Sequence, residues 1–179
     1  YPVSVVGFIA DDVKTEREQF VLVNNVRPLP KSLVYELLPS LDGAIPPKFA
    51  KRQRAYRLLE RLNHGEDSPF RGRIKTETNK TDPQAVIKDL SVLKMIENSF
   101  ENGILALYPK SEQEPYKILR NYWSAVSETF PKAWSLPPRQ SRLTHGVGIV
   151  SMGYLMDAII GRLRAEKVAG AIPFIKREL

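Results

Sequence analysis

The stretch "THGVGIVSMGYLMDAIIGRLR", residues 144–164, decides the fold. Drawn as a helix, it is apolar on nearly all sides, which predicts a central helix that its neighbours bury. Its glycines allow other elements to approach closely, at some loss of intrinsic helicity. The most apolar part, residues 146–161, contains Asp157 and is too short to span a bilayer comfortably. We therefore expect the most buried helix of a protein that does not reside in a membrane.

Further helices are indicated on the N-terminal side of this stretch, where apolar residues recur at the helical period. Asp11 or Asp12 is placed to cap the first of them. A strand is predicted before that cap, at Val3–Ile9. The expected fold class is therefore α+β and mostly helical, with five or six helices and one or two strands on the N-terminal side. The other predicted helices cover residues 13–25, 31–38, 48–64, 84–100 and 114–130.

Two of these helices carry apolar stripes that predict packing against a core. In residues 114–130 the stripe includes Tyr122 and Trp123, and aromatic residues at this spacing are more typical of a core than of a ligand site. In residues 84–100 the stripe consists of Val86, Ile87, Leu90, Leu93, Ile96 and Phe100.

A second notable stretch is "SPFRGRIKT", residues 68–76, in which cations alternate with other residues. In an extended strand, every second side chain points to the same face. Arg71, Arg73 and Lys75 would therefore form a row on one face of the strand. This row is either the charge that protects an exposed edge strand against aggregation or a surface that binds phosphate. The preceding helix has a basic face and is joined to this stretch by a short turn, so we expect one continuous surface. Its candidate phosphate contacts are Lys51, Arg54, Arg57, Arg71, Arg73 and Lys75.

Two smaller sites are also candidates. Thr144 is placed to cap the helix that follows it, and the free N–H groups at such an end attract anions. Arg139, Arg142 and His145 lie within about a turn of that end, which predicts an anion site; the alternative is a capped helix with solvated arginines. The paired amides at residues 24 and 25, Asn24 and Asn25, either contact a polar ligand or cap a turn.

Charge and composition narrow the classes of function. The net charge of +7 and a pI near 9.6 favour a polyanionic partner such as nucleic acid. The absence of cysteine excludes disulfides, thiolate catalysis and cysteine-based zinc sites, and an intracellular, cytoplasmic protein is the simplest inference. His64 and His145 are far apart in the sequence, so no metal site is expected. Neither a GxSxG elbow nor a GxxxxGK[ST] loop is present.

Taken together and in this order, several segments resemble the later part of the DGQHR-domain family. They are "EREQFVLVNNVRPLPKSLVYELLP", "LLERLNHGEDSPFRGRIKT", "VIKDLSVLKMIENSF", "NYWSAVSETFPKAW" and "RLTHGVGIVSMGYLMDAI", which together span most of residues 3–164. The family looks related to the ParB/sulfiredoxin fold. It includes DndB-like proteins of DNA phosphorothioation islands and DpdB-like proteins of the 7-deazaguanine DNA-modification system.

The motif that names the family, Asp-Gly-Gln-His-Arg, is absent from this sequence. In the family it lies upstream of the segment that matches the present N-terminus, and we expect a missing upstream part before the strand that follows Tyr1. The resemblance implies DNA as partner and ATP as candidate cofactor, with nucleotide hydrolysis in that upstream part. Residues 1–76 would be the end of a ParB-like domain, and residues 77–179 a helical part packed on it.

The expected function is a component of a DNA-modification or phage-defence system that handles DNA. Two alternatives remain open. The first is a non-enzymatic, DNA-binding transcriptional regulator of a DNA-modification island. The second is a scaffold whose basic face binds a partner protein.

Overall fold

The computed structural model describes residue 9, residues 12–23, residue 33, residues 47–168 and residues 171–179. This part of the chain is mostly helical with one small parallel sheet, which confirms the mostly helical α+β class. Seven α-helices are present in it, where five or six were expected. The elements are α1 (Val13–Val23), α2 (Pro47–His64), β1 (Ile74–Lys75), β2 (Ile87–Lys88), α3 (Asp89–Asn102), a 3-10 helix (Ile104–Leu107), α4 (Gln113–Thr129), α5 (Pro131–Ser135), α6 (Gly146–Ala165) and α7 (Ile172–Glu178).

Some predictions fall outside the described residues. Of the strand predicted at Val3–Ile9, only Ile9 is described, and it is exposed and not in a strand. Of the helix predicted for residues 31–38, only Leu33 is described, and it is helical.

The first helix begins where an aspartate can cap it. The backbone N–H of Thr15 donates to Oδ1 of Asp12 at 2.6 Å, which satisfies one of the amides left without a partner at a helix start. The same hydrogen bond holds the pKa of the Asp12 carboxyl below its usual value. The predicted cap is therefore confirmed at Asp12.

The core is assembled from α2, α3, α4 and α6. The apolar stripe of α4 is buried through Leu119, Tyr122, Trp123 and Val126, which confirms that its aromatic residues belong to the core. One hydrophobic cluster contains buried residues from both sides of the division predicted at residue 76. Leu62 lies before that division and Ile87 after it.

An aromatic group lies at the centre of this cluster. The Phe70 ring packs edge-on against the rings of Trp123 and Trp134, with centroids 5.0 and 5.3 Å apart. Such pairs favour one fixed arrangement beyond the burial of apolar area, because the positive ring edge meets the negative ring face. The turn that contains Phe70 is thereby anchored to α4 and α5.

Helix α6 has the predicted position but is not the most buried helix. It buries one face, at Ile149, Gly153, Met156, Ile159, Ile160 and Leu163, and Gly153 lies against Met95 of α3. On the other face Val147 is 68% exposed and Tyr154 is 59% exposed, whereas α4 buries a larger share of its length. The expectation that α6 is the most buried helix is wrong because, within the described part of the chain, other elements pack against one side of α6. By length and composition alone α6 could span a membrane, with a mean hydropathy of 1.3.

The aspartate that interrupts this apolar helix has a structural partner. Oδ1 of Asp157 accepts hydrogen bonds from the Ser99 hydroxyl at 2.5 Å and from the Ile104 backbone N–H at 3.0 Å. The carboxylate therefore caps the start of the 3-10 helix and ties it to α3 and α6.

The two short strands lie within segments for which the sequence predicted other elements, a longer strand over residues 68–76 and a helix over residues 84–100. Residues 68–73 form turns instead of a strand: Gly72 has a left-handed φ of +66°, and its N–H donates to the Asn63 carbonyl at 2.9 Å. The helix predicted from residue 84 begins at Asp89, after β2. Both strand assignments depend on pairing between segments that are distant in sequence, and a local apolar period cannot reveal that pairing.

The strand pair is parallel and in a simple register. Ile74 lies opposite Ile87, and Lys75 lies opposite Lys88. Both isoleucines are buried and both lysines are exposed, as the alternation of strand side chains requires. The loop that connects the strands is held by Asn79, whose Nδ2 donates to the carbonyl of Ile74 at 2.8 Å.

Candidate functional site

Two cations on α2, Arg54 and Arg57, bind other groups of the protein itself. The guanidinium of Arg54 donates to the carbonyls of Tyr108 and Ser111, the latter at 2.6 Å, and lies 4.2 Å from the centroid of the Phe100 ring. Burial lowers the pKa of this guanidinium. Arg54 therefore holds the segment between the 3-10 helix and α4, and it is not a free phosphate contact.

Its neighbour on the basic face, Arg57, also has a partner within the fold, but at the surface. Nη1 of Arg57 lies 3.3 Å from Oε1 of Glu112 in an exposed ion pair at the start of α4. Lys51 belongs to α2, and its side chain lies outside the described residues. The basic face of α2 is thus directed, as far as it is described, toward residues 108–112.

The row of three cations predicted for residues 71–75 is not formed. Arg71 is exposed near Glu66, with Nη2 3.9 Å from Oε1. Nη2 of Arg73 donates to the Trp134 carbonyl at 2.7 Å, its guanidinium lies 4.8 Å from the centroid of a ring of Trp134, and burial lowers its pKa. The turn at Gly72 separates these side chains, so the expectation of one continuous row beside α2 is wrong.

Lys75, the third cation of that row, lines a different site, which we name the basic groove. One wall is formed by the strand pair and the loop between the strands, and the other by the segment before α6. The groove has a volume of about 860 Å³, and its basic lining residues are Lys75, Lys80, Lys88, Arg139, Arg142 and His145. The structure therefore joins Lys75 to the residues predicted separately as an anion site.

Four cations of the basic groove have no anionic partner within the part of the chain that the structure describes. Among the described residues, no hydrogen bond or ion pair engages the side chains of Lys75, Lys88, Arg139 or Arg142, and all four are exposed. Among the described residues that line the groove, one carries a carboxylate, namely Asp82. The positive charges that line the groove therefore outnumber the negative ones among the described residues.

The remaining polar groups of the groove are partly engaged. Nζ of Lys80 lies 3.1 Å from Oε2 of Glu77 in an exposed ion pair. Oδ1 of Asp82 accepts from the Gln84 backbone N–H at 2.8 Å, as in an Asx turn. These contacts hold the loop that forms the outer part of the first wall.

Thr144 does not line the basic groove and is not the predicted cap. It is buried, and its hydroxyl donates to the carbonyl of Leu136 at 2.8 Å. His145 caps α6 instead: its Nδ1 accepts from the N–H of Val147 at 3.3 Å. Thr144 closes the loop of residues 136–144, and a ligand in the groove cannot reach its hydroxyl.

Close backbone packing places Arg142 in the groove. A Cβ added at Gly148 would lie 1.8 Å from the carbonyl oxygen of Arg142, so only glycine permits this contact. The loop therefore lies directly on the first turn of α6, with Arg142 beside the helix start.

Sequence reasoning missed Lys80 and Lys88 as members of this site. The dipeptide Ile-Lys occurs in both strands, at residues 74–75 and 87–88, but also in α7 at residues 175–176, so it does not single out Lys88. The predicted polar contacts Asn24 and Asn25 lie outside the described residues. Within residues 47–168 and the other described segments, no group of three or more His, Asp or Glu side chains could hold a metal ion.

Comparison of the chain with protein-family models, with curated proteins and with solved structures found no match.

Proposed function

We propose that this chain binds DNA through the basic groove. The observation that carries the proposal is the set of four exposed cations without a partner among the described residues, Lys75, Lys88, Arg139 and Arg142. The two lysines belong to one wall of the groove and the two arginines to the other, and these walls come from distant parts of the sequence. Phosphate groups would supply the missing negative charge and accept hydrogen bonds from both arginines.

The register of the strand pair adds to this argument. Like charges that lie opposite each other across two strands destabilise the pair. Lys75 and Lys88 are in that relation, and neither forms an ion pair with a carboxylate of the described residues. A DNA backbone in the groove would remove this repulsion.

The biological setting that we propose rests on the resemblance to DGQHR-domain proteins of the ParB-like fold. In that setting the chain is a component of a cytoplasmic DNA-modification or defence system, and any ATP hydrolysis would belong to an upstream part that carries the family motif. If the chain is instead a regulator of such an island, it should prefer a particular promoter sequence. Backbone contacts alone would make it indifferent to sequence.

The test measures binding of fluorescent DNA by anisotropy over a range of salt concentrations. Each phosphate contact contributes about −0.9 to the log–log slope of affinity against salt. A groove variant without four cations should therefore flatten the slope by up to about three to four units and weaken binding to every sequence. The groove variant carries Lys75→Gln, Lys88→Gln, Arg139→Gln and Arg142→Gln.

A matched control removes four exposed charges that do not line the groove. It carries Lys110→Gln, Lys117→Gln, Lys132→Gln and Lys176→Gln. This charge variant should keep a slope close to that of the wild type, although its net charge falls equally. Equal flattening in both variants would mean that only overall charge matters. Binding of an acidic protein but not of DNA would favour the scaffold alternative.

A further inference from the structure

The basic groove adjoins a second, more apolar cavity, which we name the apolar extension. It has a volume of about 530 Å³ and lies between the start of α3 and the start of α6. Four residues line both cavities, so the two cavities are direct neighbours. The shared residues are Val86, Lys88, Pro138 and His145.

Apolar side chains stand open to solvent in this extension. Leu90 is 40% exposed and Val147 is 68% exposed, and Val150 lies beside them in the lining. The helical period of α3 predicts that Leu90 is buried, yet nothing in the described fold covers it. Clustered exposed apolar side chains beside a polar rim are a common sign of a binding site.

The chemistry of the two cavities together selects one kind of occupant. A ligand that fits both must present anionic groups to the cations and an apolar surface to Leu90 and Val147. Duplex DNA presents phosphates, but its base faces are stacked inside the helix. A single strand presents phosphates and free base faces side by side, and base faces bind by packing on side chains.

We infer that the groove binds single-stranded DNA in preference to duplex, with unpaired bases in the apolar extension. This inference rests on the proposed DNA binding and specifies its substrate. The extension lies within the range of about 300–1,000 Å³ that is usual for pockets that take small organic groups. Its serine side chains, Ser91 and Ser151, are placed to meet the polar edges of a base.

The test compares a single strand with a duplex of the same sequence in the anisotropy assay. The wild type should bind the single strand more tightly. An extension variant, Leu90→Ser with Val147→Ser, should lose about five- to tenfold in affinity for the single strand and change little toward the duplex. A control variant, Leu107→Ser with Leu155→Ser, replaces side chains that are 55% and 40% exposed outside both cavities and should match the wild type.

A change in the ligand gives a second measurement without any protein variant. A strand of equal length with abasic sites keeps every phosphate but has no bases. The wild type should bind it about as weakly as the extension variant binds the normal strand.

The outcomes separate the two proposals. Equal or tighter duplex binding, with no effect of the extension variant or the abasic strand, overturns the single-strand inference and leaves DNA binding by the groove intact. Failure of the wild type to bind either DNA overturns both.

Discussion

Lys75 and Lys88 lie opposite each other in the parallel strand pair, both exposed, above the buried pair Ile74 and Ile87. The isoleucines explain why the strands meet, since they close the core beneath the sheet. The lysines oppose that pairing through their like charge. The arrangement therefore links the stability of the fold to the electrostatics of the basic groove.

Replacing one of these lysines with an acid should separate stability from binding. In Lys88→Glu the like-charge pair becomes an opposite-charge pair, and such pairs stabilise by roughly 0.2–1 kcal/mol. We expect the free energy of unfolding, measured by urea denaturation, to rise by an amount in that range while affinity for DNA falls. Lys110→Glu is the control for net charge. A Lys88→Glu protein that is less stable and still binds DNA normally would contradict the assignment.

Arg54 should matter for folding and not for DNA. Its guanidinium donates to the two carbonyls of Tyr108 and Ser111, and loss of hydrogen bonds from a charged, partly buried donor destabilises by about 1.5–3 kcal/mol. We expect Arg54→Met to lower the free energy of unfolding by about that amount. The folded fraction should bind DNA with wild-type affinity.

The control for this prediction is the neighbouring exposed ion pair. Arg57→Gln breaks the contact with Glu112, and exposed pairs contribute about 0–1 kcal/mol. If the Arg54→Met protein had normal stability and a flatter dependence of DNA affinity on salt, Arg54 would be a phosphate contact after all.

Gly148 should be required for the position of Arg142. A Cβ at Gly148 would overlap the Arg142 carbonyl, whereas a Cβ at Gly161 in the same helix would meet nothing within 4 Å. Gly→Ala inside a helix normally stabilises by up to about 1 kcal/mol, and we expect this for Gly161→Ala. Gly148→Ala should instead lower the melting temperature and weaken DNA binding. Equal stabilisation by both substitutions would exclude the close contact.

Stability should fall in acid through Asp67. Hydrogen bonds from the hydroxyl of Tyr116 and from Arg120 hold the pKa of the Asp67 carboxyl below its ordinary value of 3.8. A carboxyl whose pKa is lowered by folding stabilises the protein above its unfolded pKa, and this contribution is lost as the pH falls through the folded pKa. Urea midpoints should therefore decline below about pH 4, and the decline should be smaller in Asp67→Asn. An identical decline in that variant would assign the acid sensitivity to other groups.

The elements that sequence reasoning identified are those specified by local interactions. The Asp12 cap, the α4 stripe and the extent of α6 depend on residues within a few turns of each other. Val86 and Ile87 fit a helical period as well as a strand, and only pairing with residues 73–75 makes them extended. Local periodicity therefore placed the start of α3 too early.

The candidate site was predicted in part for the same reason. Arg139, Arg142 and His145 are near one another in sequence, so their grouping was visible there. Their approach to Lys75 and Lys88 depends on how the segment before α6 packs against the sheet. The hydrogen-bond partners of Arg54 are more than fifty positions away along the chain, and no local pattern indicates them.

The most direct test of the central claim is a lysine-protection experiment on the wild-type protein with and without DNA. Acetylation of each lysine is measured by mass spectrometry at a salt concentration that permits binding. DNA in the basic groove should protect Lys75 and Lys88 strongly, while Lys110 and Lys132, which are exposed outside the groove, are modified as in the free protein. Protection of Lys110 or Lys132 with unchanged modification of Lys75 and Lys88 would contradict the account.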